Sequence, residues 1–211
     1  MSIGANRVLI LAPHTDDGEF GCGGTIAKLL EEGKELYYVA FSTAEESLPP
    51  GLPKDTLKRE VAEATGILGI PPTNLLTYGF SVRKLNYVRQ EILEELVRLR
   101  GEIKPELVLV PSVNDLHQDH YTVAMECLRA FKQVSILGYE LPWNNITFHT
   151  QAFVKLEERH VALKEKALRA YQSQSGRNYA SADFIWGLAR TRGVQIGAPL
   201  AETFEVVRWV I

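Results

Sequence analysis

The sequence predicts an α/β fold, a single-domain αβα sandwich of three layers around a mainly parallel sheet. Three observations carry that expectation. Short apolar runs alternate with segments of helical periodicity through the first two thirds of the chain, the rhythm of βαβ units. Glu106 to Val110 has Val or Leu at every interior position, as a parallel strand buried on both faces requires. The 211 residues suit one domain, 1–211, with room for loops around an active face.

In chain order, Arg7 to Ala12 reads as a buried strand, and Gly23 to Glu32 as a helix carrying Ile26, Leu29 and Leu30 on one side. Glu35 to Ser42, rich in Tyr, Val and Phe, is a second strand. Prolines and a glycine make Thr43 to Pro53 a loop. Thr56 to Leu68 follows as a helix and Leu75 to Tyr78 as a short strand. Val88, Ile92, Leu96 and Leu99 recur at spacings of three and four, predicting a helix over Leu85 to Arg100 that Pro105 punctuates. After the strand ending at Val110 the chain turns polar before a helix from about Asp119 to Phe131. In the last third, Ser135 to Glu140, Gln151 to Val154 and Thr203 to Trp209 read as strands and Leu156 to Gln172 as a helix.

Composition excludes several classes of function. Lys plus Arg is 23 and Asp plus Glu is 26, a formal charge of −3, so affinity for a nucleic-acid backbone has no source. No run of about 18 apolar residues is present, so no membrane span is expected. The two cysteines, Cys22 and Cys127, are too few for a disulfide framework or a four-cysteine zinc site. The run after Arg7 is too short for the apolar stretch of a signal peptide, and a cytoplasmic protein is expected. A homo-oligomer is left open.

Two polar clusters each follow a predicted buried strand, at the carboxyl edge where open α/β sheets bind ligands. The first is His14-Thr15-Asp16-Asp17-Gly18-Glu19; the second is Asn114-Asp115-Leu116-His117-Gln118-Asp119-His120. Imidazole and carboxylate are the usual nitrogen and oxygen ligands of a borderline divalent ion such as zinc. A single Asp before a helix is ordinarily a cap. Adjacent carboxylates, a preceding His and a second His-rich cluster require more than capping.

These residues resemble the de-N-acetylases of the PIG-L or LmbE-like type, which remove acetyl groups from N-acetylglucosamine-containing substrates with a divalent metal, usually zinc. The family's first motif, approximately His-Pro-Asp-Asp-Glu before a glycine-rich helix start, stands here as His14-Thr15-Asp16-Asp17-Gly18 followed by Gly21-Cys22-Gly23-Gly24-Thr25-Ile26. The second, His-x-Asp-His, stands as His117-Gln118-Asp119-His120. Weaker echoes are Lys58-Arg59-Glu60, Lys166-Ala167-Leu168 before Tyr171 and Ser173-Gln174, and Glu202-Thr203-Phe204. The resemblance implies a Rossmann-like domain, Zn2+ or another divalent transition metal held by His14, Asp17 and His120, and Asp16 as general base. It implies that His117 polarises the reacting carbonyl or donates a proton, oriented by Asp119. The substrate implied is a small N-acetylated amino sugar: a sugar conjugate, glycolipid or sugar nucleotide.

Thr15 replaces the family's Pro, and Gly18 its Glu, with Glu19 one place later. Arg59 is a candidate for a substrate phosphate or hydroxyl, and Trp143 for a stacking platform. A hydrolase of non-sugar amides and a non-catalytic metal-binding module are the alternatives. A dinucleotide site fails, because Ile26 stands where the third glycine of the fingerprint belongs.

Overall fold

The structure is a computed structural model and describes residues 4–211. Seven strands form one sheet in the order β3-β2-β1-β4-β5-β7-β6. The first five, β1 (Arg7–His14), β2 (Glu35–Ser42), β3 (Leu75–Thr77), β4 (Leu107–Pro111) and β5 (Ser135–Tyr139), pair in parallel. At the far edge β7 (Leu200–Arg208) lies antiparallel between β5 and β6 (Ala152–Leu156).

Alternation along β1 divides the core. Val8, Ile10 and Ala12 face the layer of α1 (Asp17–Glu31), α2 (Thr56–Leu68), α5 (Glu158–Leu168) and α6 (Ala182–Val194). Leu9 and Leu11 face the layer of α3 (Arg89–Ile103) and α4 (Gln118–Ala130). Period-two side chains buried on both faces explain why the strands read as continuous apolar runs. The chain winds outward from β1 through β2 to β3, then returns to the other side of β1 and winds outward through β4 to β5. Winding therefore reverses between β1 and β4, which creates a crevice at their carboxyl ends.

Most predicted elements stand within a few residues of their expected bounds, and four differences have physical causes. Helix α1 starts at Asp17 instead of Gly23, so the first polar cluster is itself the helix's first turn. The glycines obscure that start, and Cys22 at φ −147°, ψ 24° interrupts the helix one residue before the start the sequence predicts. Helix α3 starts at Arg89 because Leu85–Tyr87 forms a separate 3-10 turn, and the carboxylate of Asp119 takes the Leu85 N–H. The predicted Leu156–Gln172 helix is shorter, since Leu156 belongs to β6 and Gln172–Gln174 is a 3-10 turn. Helix α6 was not foreseen; its buried stripe is Ile185, Ala189 and Gly193, too weak a pattern to see in sequence.

Candidate metal centre and substrate cavity

β1 ends at His14 and the helix opened by its loop begins at Asp17; β4 ends at Pro111, and His117 caps α4. The two strands are neighbours, with Ile10 opposite Leu109, so their loops emerge side by side in the crevice. Histidines distant in sequence thus meet. Ring nitrogens of His14, His117 and His120 all lie within 4.8 Å of one another.

A tighter triangle stands inside that group. Asp17 Oδ2 is 3.1 Å from His14 Nδ1 and 3.2 Å from His120 Nε2, and those two nitrogens are 3.2 Å apart. A tetrahedral zinc with bonds of about 2.0–2.1 Å places its ligands about 3.3 Å from one another, so this triangle fits one face of such a site. Charge fits as well. Burial works against protonated His14 and His120, yet Asp17 with Asp119 raises His14 to about 9, and Asp17 with Asp115 raises His120 to about 10. Against its own burial, Asp17 is held well below the usual carboxylate range by His120 and His14. One divalent cation carries the charge of those two ring protons, and binding it would release them.

Two further carboxylates orient the rings. Asp115 Oδ2 holds His120 Nδ1 at 2.8 Å, and its Oδ1 accepts the His117 N–H at 2.8 Å. Asp119 Oδ2 holds His14 Nε2 at 3.0 Å. Each carboxylate thereby fixes which ring nitrogen faces the triangle, as buttressed metal-site histidines generally require. This corrects the partner expected for Asp119. Its carboxylate goes to His14 and to the N–H groups of Arg83 and Leu85, and only its main-chain N–H reaches His117 Nδ1, at 3.2 Å. Burial and the neighbouring His120 and His14 lower the His117 pKa, so that ring is neutral, with its proton on Nε2. His117 lines the cavity.

Asp16 stands beside the triangle. It is the N-terminal flank of α1 but makes no side-chain cap bond, so its carboxylate is not spent on the helix. Burial and the adjacent Asp17 charge push it up to about 6, which leaves it mostly ionised at neutral pH. Glu19 has a different place. It is buried beneath the loop, where burial raises its carboxyl to about 8, and it meets the hydroxyls of Tyr38 and Tyr171, the latter at 3.0 Å. Both phenols also reach the Thr15 carbonyl, at 2.9 and 2.7 Å. With Glu19 protonated, the phenols can donate to Thr15 while the acid donates to a phenol, so every proton has an acceptor. A Cβ on Gly18 would stand 2.6 Å from Tyr38 Cε2 and Oη, so this packing requires glycine there.

The C-terminal strand braces the same helix. Just past the Cys22 kink the N–H groups of Gly24 and Thr25 donate to Glu202, at 3.0 and 2.6 Å. Lys164 Nζ, 2.7 Å from Glu202, neutralises that buried charge. A sequence echo at Glu202 therefore marks a support of α1.

A cavity of about 360 Å³ opens over the cluster, walled by Phe20, Leu57, Val82 and Asn144 and by the Trp143–Tyr179 pair, stacked at 3.9 Å and 11°. Trp143, the candidate stacking platform, is on that wall. Arg59 is not. It lies on the outer face of α2 in an exposed ion pair with Asp55, 3.1 Å away. Arg83 and Arg177 line the cavity instead. Neither had a sequence signal, because both stand on irregular segments that only tertiary packing brings to the crevice. The Arg177 segment is tied to α2 by Glu60, which accepts from the Ser173 N–H at 2.9 Å and its hydroxyl at 2.5 Å.

A doubly wound sheet with a histidine–carboxylate cluster across its switch point defines a class, the LmbE-like deacetylases. More particularly, the chain belongs to the PIG-L family, GlcNAc-PI de-N-acetylase, whose model matches residues 9–131. It is 27% identical over 170 residues to the uncharacterized deacetylase YaiS of Escherichia coli, spanning 79% of this chain and 90% of that one. It is 31% identical over 123 residues to the diacetylchitobiose deacetylase of Thermococcus kodakarensis, spanning 54% of this chain and 45% of the relative. A solved conserved protein of Thermus thermophilus shares the fold with a TM-score of 0.82 and 27% identity, over 97% of this chain and 95% of the other.

Proposed function

We propose that the chain is a metal-dependent N-deacetylase that hydrolyses the acetamide of an N-acetylated amino sugar to acetate and the free amine. One observation carries the reading: a metal-sized triangle of His14, Asp17 and His120 lies at the base of an aromatic-walled cavity, with the uncommitted carboxylate of Asp16 beside it. Family membership and the sugar specificity in the name of the Thermococcus kodakarensis relative support the substrate class.

His14, Asp17 and His120 would hold the ion, zinc by their chemistry, and when bound it supplies a Lewis acid that also lowers the pKa of water. Asp16 takes the proton of the water that attacks the acetamide carbon. His117, neutral with Nδ1 occupied by the Asp119 N–H, directs its Nε2–H to the carbonyl oxygen as negative charge develops there, an interaction generally worth about 3 kcal/mol. The proton held by Asp16 then passes to the sugar nitrogen as the C–N bond breaks. Asp115 and Asp119 hold the two ligand rings, and the Trp143–Tyr179 wall offers a sugar an apolar face.

The test is incubation of zinc-loaded protein with N-acetylglucosamine, its conjugates and N,N'-diacetylchitobiose, with assay of acetate. Release from at least one of them is expected; none from any would sink the reading.

A further inference from the structure

We propose that Arg83 and Arg177 form an anion-binding rim on this cavity, so that the preferred amino-sugar substrate carries a carboxylate or phosphate outside the acetylated ring. The inference rests on the deacetylase reading and narrows it. Arg59, Arg89, Arg98, Arg159 and Arg192 each hold a carboxylate, and Arg100 and Arg208 donate to main-chain carbonyls. Arg83 and Arg177 both line the cavity, and neither makes an ion pair within the described residues. The carboxylates on the cavity wall are Asp16 and Asp17; Asp17 is engaged by His14 and His120, and the Arg177 charge is felt at Asp16.

The Arg177 side chain and the Arg83 main chain are held in place. Arg177 Nε donates to Gln174 Oε1 at 2.7 Å, and its guanidinium lies 5.7 Å over the Tyr179 ring. Among the described residues its two terminal nitrogens pair with no carboxylate, which leaves a fork that suits a planar carboxylate or a phosphate. Arg83 occupies the left-handed region at φ 64°, where a residue with a Cβ is uncommon and backbone strain gathers at functional sites. Asp119 Oδ2 holds the Arg83 main-chain N–H at 2.5 Å and His14 Nε2 at 3.0 Å, so one carboxylate ties the backbone that carries this arginine to the ligand triangle. A neutral glycan would meet two charged groups and offer only hydroxyls; an anion supplies charge-assisted bonds, roughly twice as strong as neutral ones.

The test compares kcat/KM of the zinc-loaded protein for N,N'-diacetylchitobiose, N-acetylglucosamine 1-phosphate and N-acetylglucosamine linked to glucuronic acid. At least one anionic substrate is expected to be preferred by about tenfold or more, as charged hydrogen bonds typically give, and the two anionic arms separate phosphate from carboxylate. The double variant Arg83→Gly, Arg177→Ala, whose glycine suits the positive φ, should bring the preference to within about threefold of unity. Calorimetry of glucosamine 1-phosphate against glucosamine gives a readout apart from turnover and should lose the same discrimination in that variant. Equal turnover of neutral and anionic substrates, or a preference that survives the double substitution, overturns the rim while leaving the deacetylase reading intact. Arginine-dependent binding of glucosamine 1-phosphate with no acetate from any substrate supports the rim and removes the deacetylase reading.

Discussion

Helix α1 carries a histidine–carboxylate cluster at each end, and the two have different compositions. At its start, Asp17 meets His14 and His120, which lean on Asp119 and Asp115. Near its end, Glu31 meets His160, 2.6 Å away, and Arg159, 2.7 Å away, with Glu157 beyond. Both sets of contacts fall within ion-pair distance. The first cluster buries its carboxylates, with side-chain exposures of 9% for Asp17, 1% for Asp115 and 0% for Asp119, and none of them pairs with Lys or Arg. The second leaves Glu31 48% exposed and includes a guanidinium. Contact between His and Glu is therefore a poor sign of a metal site. Buried carboxylates in excess of resident cations, with ring nitrogens turned inward, are a better one.

Substitutions can break this contrast. Asp17→Ala or His120→Ala should abolish zinc binding, read by elemental analysis, and lower turnover by about 10³-fold or more; retained zinc would mean the triangle is not the ligand set. Asp16→Asn should keep the zinc and lower kcat by about 10²- to 10⁴-fold, the usual contribution of a general base, and a near-normal rate would remove Asp16 from that role. Asp115→Asn should weaken zinc affinity by about 10- to 100-fold through the orientation of His120, measurable by competition with a chelator.

The far cluster should respond in stability alone. His160 Nδ1 accepts the Glu157 N–H at 3.0 Å within a capping box, so His160→Ala should cost about 1 kcal/mol in denaturant unfolding and leave zinc and turnover unchanged. Loss of zinc in that variant would erase the distinction. The smallest effect concerns pH. Hydrogen bonds from Arg159 and His160 hold Glu31 at about 2, against an ordinary glutamate value of 4.5. A depressed carboxylate contributes stability above its unfolded pKa, and that contribution fades as pH falls from about 4.5 through about 2. Because Glu31 is exposed, the effect should be slight and removed by salt. Unfolding scans of the parent and Arg159→Ala proteins should converge by pH 2; a difference undiminished there would contradict the pairing.

The fold was legible because strands buried on both faces and amphipathic helices leave strong periodic signals, as in Glu35–Ser42 and Thr56–Leu68, whose bounds match the structure. The cluster was legible because each half is contiguous in sequence and follows a strand. Roles within it were less so. His117 and Asp119 are two residues apart, which suggested a pair, but the first turn of α4 sends the Asp119 carboxylate toward β1. Arg83, Arg177 and Tyr179 carry no periodic signal, since loop packing alone decides what they face.

Gly18 has a consequence for how such a site can change over generations. Its hydrogen fills the space against the Tyr38 ring, and the Gly18 N–H donates to the Tyr38 hydroxyl at 3.1 Å. A glutamate at 18, as the family motif has it, and a tyrosine at 38 exclude each other in this packing. The two positions are coupled in one direction: a larger residue at 18 needs position 38 to shrink before it or with it, whereas position 38 can shrink first.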